Sequence, residues 1–334
     1  MRVTRDLLLE IAHKQAEEIV YKSNDIVSIY LTGSVVNAQP LLGGATDIDL
    51  VCIHAIQPPE AREVVRLADE FHLDIAHYPQ SRFSQPRNLR QEVWLGSYLC
   101  YEPISLYDTQ HWFDFTRAVV FAHFLQPANI MARVRPLAQQ ARQKWQALTN
   151  AEYETSADQV WDYLLALEWA ANATACLVGV PLTERRFLLD LPARAEALQR
   201  PGLAAGLVDL IVPTEGAQLD WQPWLEEWRK AIQSANEKKT CPVRLDLLRI
   251  PYYEKAINVL AEENREAALW ILLRTWTLAL TQLAKSAIEV KPWQTFIQTI
   301  NLDHEHFAGR LVALDSYLEA VEDTLDGWAK QNGV

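Results

Sequence analysis

Positive charge is scarce in this chain. Over 334 residues, 31 Lys and Arg stand against 43 Asp and Glu, a formal net charge of -12. Broad binding to a nucleic-acid backbone needs an electropositive surface, so a nucleic-acid partner is not expected. The acidic balance is compatible with a cationic small substrate, although such a balance is common among soluble proteins. Long apolar runs are missing too, and no uninterrupted one approaches the length of a membrane span. The opening residues, Met1-Arg2-Val3-Thr4-Arg5-Asp6, carry charge and lead into no apolar block, so a secretory signal is not expected. Cysteine is sparse: Cys52, Cys100, Cys176 and Cys241 never fall at paired spacing. That excludes a disulfide frame or a cysteine zinc site and fits reduced, mostly buried thiols in a cytoplasmic protein. The chain also lacks a Walker A sequence, a dinucleotide fingerprint, a nucleophile elbow and histidines at metal spacing.

What is present is enough apolar material, 49% of residues, for two packed domains or one with a large appendage. The first third alternates helix and strand. Leu8, Ile11, Ala12, Ala16 and Ile19 recur at helical spacing. Residues 26–31 are β-branched and aromatic, bounded by Ser23-Asn24-Asp25 and Gly33, and are expected to form a strand. A second strand is expected over 47–53 and a third over 71–78. Between them Pro58-Pro59 predicts the first turn of a helix running to about Glu70. A polar stretch with Arg82, Arg87 and Arg90 follows, then a helix near 91–95 and a short strand at 104–107. The pattern is an α/β or α+β sheet domain over residues 1–125. From 126 to 334 the segments are long and helix-periodic: roughly 128–148, 156–178, 184–198, 221–236, 252–265, 267–288 and 304–330. Gly and Pro gather between 191 and 223, which predicts a long connection splitting this region in two. Trp221, Trp224 and Trp228 share one helical face, as packed core or, less often, as the wall of a substrate cleft.

The segment that carries chemistry is Tyr30-Leu31-Thr32-Gly33-Ser34, then, after twelve intervening residues, Asp47-Ile48-Asp49-Leu50-Val51. Alternation along a strand puts Asp47 and Asp49 on one face and Ile48 and Leu50 on the other. Two carboxylates so close repel each other unless a cation lies between them, and Mg²⁺ suits such a pair together with substrate phosphate oxygens. In His72-Leu73-Asp74-Ile75-Ala76 the same alternation offers Asp74 as the third acidic group of a two-metal site. Gly33 permits close backbone approach, and the Ser34 hydroxyl and neighbouring amides can donate to phosphate oxygens. Gly43-Gly44 are expected to add flexibility to the intervening loop.

This ordered set resembles the nucleotidyltransferase superfamily related to polymerase beta, and in type its aminoglycoside nucleotidyltransferases. That signature is an apolar strand, Gly-Ser, a spacer, Asp-x-Asp among apolar residues, and a later acidic residue on a neighbouring strand. The resemblance covers about residues 26–108, with Leu106-Tyr107-Asp108 similar to the short strand that follows in such proteins. It implies an α+β fold, a small mixed-sheet nucleotidyltransferase domain followed by a larger all-helical substrate-binding domain. It also implies a nucleoside triphosphate, ATP or another NTP, Gly33 and Ser34 as its clamp, and Mg²⁺, two ions by analogy, at Asp47, Asp49 and Asp74.

The activity implied is transfer of a nucleoside monophosphate to a hydroxyl of a small molecule such as an aminoglycoside-like antibiotic, with release of pyrophosphate. Asp74 is the first candidate for the base and Glu168 the second, because some relatives supply a carboxylate from the helical domain. Arg82, Arg87, Arg90 and Arg185-Arg186 are candidates for phosphate contacts, each with a solvated surface as the commoner role. His72 and His77 flank Asp74 and read as structural. Transfer to a protein side chain or an RNA end, and a non-catalytic nucleotide sensor of the same fold, remain alternatives. The oligomeric state, a homodimer included, stays open.

Overall fold

A computed structural model describes residues 3–152, 156–212, 221–238 and 241–334, the side chain of Trp221 excepted. The fold is α+β, a five-stranded mixed sheet followed by helices. The chain divides into two compact units, Met1–Asn129 and Ile130–Val334.

The first unit is built on helix α1 (Arg5–Lys22) and strands β1 (Ile26–Thr32), β2 (Thr46–His54), β3 (Arg62–Arg66), β4 (Phe71–Pro79) and β5 (Ile104–Asp108). The Thr4 hydroxyl caps α1 by accepting from the Leu7 amide, leaving the apolar stripe Leu8, Ala12 and Ala16 to bury against the sheet. Strand order is β3-β4-β2-β1-β5, with β2 and β4 parallel and the other neighbours antiparallel. The α1 stripe joins Ile29, Leu31, Ile48, Leu50, Cys52, Leu73 and Ile75 in one core on one face of the sheet. On the other face Tyr30, Val51 and Ile53 pack with α2 (Pro86–Arg90), α3 (Trp94–Cys100) and α4 (Trp112–Phe124) through Leu89, Leu95, Leu99, Phe113, Val120 and Phe124. That second face is therefore divided along β2. Val51 and Ile53 lie in the core, while Asp47 and Asp49 occupy the part of the strand preceding them.

Three expectations for this unit need correction. The segment expected to be helical from Pro58 to Glu70 contains β3, which forms a hairpin with β4. Its residues, Arg62-Glu63-Val64-Val65-Arg66, are half-buried or exposed, as an edge strand's are, so the apolar alternation that marks a buried strand is weak. The helix expected near 91–95 is met only at its end: residues 91–93 separate two short helices, α2, which stops at Arg90, and α3, which starts at Trp94. Gly43 and Gly44 form a tight turn in place of a flexible loop: their φ angles are 61° and 73°, and Leu42 and Ala45 exchange backbone hydrogen bonds of 3.0 and 3.2 Å.

In the second unit the described helices are α5 (Pro127–Thr149), α6 (Ala157–Ala175), α7 (Phe187–Ala197), α8 (Gly202–Ile211), α9 (Trp221–Asn236), α10 (Ile250–Glu263), α11 (Arg265–Thr281), α12 (Val290–Thr299) and α13 (His304–Gln331). Every residue from Ala267 to Leu280 is buried, so α11 is the central rod on which others pack. Trp228 is fully buried and donates to the Thr275 hydroxyl at 2.8 Å, and Trp224 lies 5.6 Å from the Phe296 ring. This part of the tryptophan stripe is packed core; the Trp221 side chain lies outside the described residues. The expected long connection over 191–223 holds the end of α7, with Pro192 inside it, and the whole of α8; residues 213–220 of it lie outside the described residues. The Tyr163 hydroxyl ties α6 to α8 by donating to the Leu210 carbonyl at 2.8 Å.

The cysteines are free; Cys52, Cys100 and Cys176 are buried and Cys241 is partly so. Burial pushes the Cys52 and Cys176 thiols up to about 12, which keeps them protonated and unreactive. No described helix is long and apolar enough to cross a membrane.

Candidate metal centre

The register of the sheet brings the three aspartates together. Asp49 of β2 is the Cα partner of Asp74 on the parallel neighbour β4, and Asp47 precedes Asp49 by one alternation on the same face. One carboxylate oxygen from each of Asp47, Asp49 and Asp74 lies within 4.8 Å of the others. Asp47 and Asp74 are buried and Asp49 is partly exposed, so the cluster is open to solvent mainly at Asp49.

The Gly33-Ser34 element abuts this cluster. Thr32, the last residue of β1, is the Cα partner of Asp49, and a short 3₁₀ turn over Gly33–Val36 follows. Gly33 has φ of 74°, and a Cβ built on it would lie 1.8 Å from Asp49 Oδ2. Close approach of the Asp49 carboxylate to the backbone thus requires glycine here, for want of room as well as for the dihedral. Ser34 Oγ and Thr46 Oγ1 share a 2.8 Å hydrogen bond, which links the turn to the start of β2. Arg5 of α1 donates from Nε to the Val35 carbonyl at 3.1 Å and from Nη2 to the Val36 carbonyl at 3.2 Å. Neither Arg5 nor Thr46 carries a local motif; both contacts come from the fold.

A guanidinium already stands at the acidic face. Arg62 of β3 donates from Nε to Asp74 Oδ1 at 2.5 Å and from Nη2 to Asp74 Oδ2 at 2.8 Å. The reading of this segment as a helix hid Arg62. Two adjacent β-branched residues between charges, followed by Asp69-Glu70 before the next strand, are the hairpin signal that could have exposed it.

The opposite face of β2 and β4 ends in a polar chain. Asp25 Oδ2 lies 3.0 Å from His54 Nδ1, His54 Nε2 is 2.9 Å from His77 Nδ1, and His77 Nε2 is 3.3 Å from Glu63 Oε1. The Ser23 hydroxyl holds the Asp25 carboxyl below its ordinary value despite some burial, with His54 adding to the effect. Burial lowers the His77 imidazole, and Glu63 only partly offsets it. His72, by contrast, is buried in β4 as the Cα partner of Asp47.

The remaining candidates are spread out. Arg82 pairs with Glu92. Arg87 is exposed on α2. Arg90 donates to the Val119 and Val120 carbonyls at 2.6 and 3.3 Å and so fastens α2 to α4. In the helical unit Glu168 Oε2 accepts from Arg274 Nε and Nη2 at 2.9 and 2.6 Å, and Glu184 pairs with the same buried guanidinium. Burial raises the Glu184 carboxyl, but Arg274 and Arg244 outweigh it and hold the group below its ordinary value. Arg185 is buried, donating to the Tyr252 carbonyl at 3.2 Å with its guanidinium 3.4 Å from the Tyr252 ring centroid, and Arg186 ends the same turn. A second acidic group, Asp108, His111 and Asp114, surrounds the start of α4, where Asp108 accepts from the Phe113 and Asp114 amides at 2.8 and 3.4 Å. Asp108 thereby caps the helix.

No family model matches the chain, and no curated protein matches it.

The donor set of the aspartate cluster fits a hard divalent cation. Oxygens facing each other across Mg²⁺ stand roughly 4.2 Å apart and across Ca²⁺ up to about 5 Å, so oxygens within 4.8 Å of one another can reach one ion.

Proposed function

We propose that this protein is a metal-dependent nucleotidyltransferase that moves a nucleoside monophosphate, AMP from ATP in the first instance, to a hydroxyl of a small acceptor. The observation that carries the reading is the convergence of Asp47, Asp49 and Asp74 within 4.8 Å beside a glycine turn that touches Asp49. Asp47 and Asp49 would hold Mg²⁺ on the triphosphate. When bound, the ion neutralises phosphate charge and draws the polyphosphate into line.

The Gly33–Val36 turn presents backbone to the phosphates with no side chain at Gly33 to hold them off. The acceptor hydroxyl forms the new bond to the α-phosphorus while the bond to the bridging oxygen breaks, and pyrophosphate leaves with that electron pair. The hydroxyl proton passes to a carboxylate within hydrogen-bond reach. Asp74 takes that role once Arg62 yields one of its oxygens, since both accept from the guanidinium in the resting arrangement.

Incubating the full chain with Mg²⁺ and each of the four NTPs, with and without a panel of aminoglycoside-like acceptors, and following pyrophosphate tests the reading. Acceptor-dependent release abolished by Asp49→Asn supports it. Nucleotide binding without turnover on any acceptor, protein hydroxyls included, favours a sensor of the same fold.

A further inference from the structure

Arg62 sits on the edge strand at a position set by the hairpin. Val64 is the Cα partner of Asp74 and Arg62 that of Ala76, so alternation puts the Arg62 side chain on the face of the aspartates, one step along from Asp74. Its neighbour Glu63 turns to the opposite face, where it meets His77. The hairpin is closed by a hydrogen bond of 3.1 Å from the Ala68 amide to the Phe71 carbonyl, which fixes this register. The two-pronged contact engages both oxygens of a carboxylate whose side chain is 1% exposed, while the Arg62 side chain is 45% exposed and reaches in from solvent. A bidentate guanidinium matches a carboxylate in shape and charge and so occupies the place a cation would take.

We propose that Arg62 is a tethered positive charge that stands in for a second metal ion, so that the centre takes a single divalent cation, at Asp47 and Asp49. The proposal rests on the metal reading given above. It replaces the two-ion expectation with one ion and one guanidinium. Geometry agrees: Arg62 engages both oxygens of Asp74, while the Asp47 and Asp49 carboxylates of the same cluster stand on the neighbouring strand. Asp74, held by Arg62, then serves the acceptor side of the centre and not the ion.

The test is Mn²⁺ titration of the full-length protein, with bound and free ion read by electron paramagnetic resonance and stoichiometry confirmed by calorimetry. The wild type is expected to bind one ion, Arg62→Lys one, and Arg62→Gln two. Asp74→Asn is expected to keep the single site, so the proposal stays testable even if Arg62→Gln folds poorly; cooperative unfolding of each variant checks the fold. Two sites in the wild type, one site in folded Arg62→Gln, or loss of the site in Asp74→Asn overturns the proposal while leaving the metal reading standing. No bound Mn²⁺ in any variant overturns the metal reading and this proposal together.

Discussion

Gly33→Ala tests the contact on which the centre depends, and Gly44→Ala supplies its control. Both glycines have φ near +74°, but a Cβ on Gly44 meets nothing within 4 Å, whereas one on Gly33 would lie 1.8 Å from Asp49 Oδ2 and 2.7 Å from its carboxyl carbon. Gly44→Ala therefore costs only the left-handed backbone penalty, about 1–2 kcal/mol. Gly33→Ala costs the same and also drives Asp49 off its rotamer, roughly another 0.5–1.5 kcal/mol. The Asp49 side chain leaves its place beside Asp47 as well. Hydrogen exchange of the β1 and β2 amides reads the stability of this sheet directly, and Mn²⁺ titration reads the displaced ligand. The expected outcome is a greater loss of protection in Gly33→Ala than in Gly44→Ala, with Mn²⁺ affinity weakened only in the former. Equal protection and equal affinity in the two variants would refute the close-approach reasoning.

Asp49→Asn removes one carboxylate of the cluster, so in thermal melts Mg²⁺ raises its unfolding temperature less than that of the wild type. Its pyrophosphate release falls on the order of 10²–10³-fold; release within threefold of wild type removes Asp49 from the chemistry. The His77 pKa is lowered in the fold by burial, so the neutral ring contributes stability that is present above about pH 6.5 and lost as pH falls toward the folded value. Thermal melts of the wild type therefore decline between pH 7 and 5, and His77→Gln flattens that decline; parallel curves contradict it. Arg274→Ala leaves Glu168 and Glu184 without the guanidinium they share, which costs about 3–5 kcal/mol. Chemical denaturation of the helical unit showing under 1 kcal/mol of loss counts against that pairing.

Asp49 and Asp74 were legible because each stands between apolar neighbours on a strand, and alternation then fixes the side it points to and puts Asp47, two residues before Asp49, on that side as well. Core strands β1 and β2 and the long helices α5, α9 and α13 announce themselves through apolar periodicity for the same reason. Arg62 was not legible because an edge strand packs on one neighbour only, and helix-forming Ala61, Glu63, Leu67 and Ala68 around it mimic a helix after Pro58-Pro59. Helix α8 was lost among Gly202, Gly206 and nearby prolines, all of which disfavour a helix on sequence grounds. The Arg5 and Thr46 contacts join residues made neighbours by the sheet, which no local pattern records.

Strand β2 serves as floor and fixture together: Ile48 and Leu50 are locked beneath it while Asp47 and Asp49 project above. The backbone positions from which the acids project cannot separate without unpacking the residues under them. Any ion that settles there finds its oxygens already gathered and spends little on rearranging them.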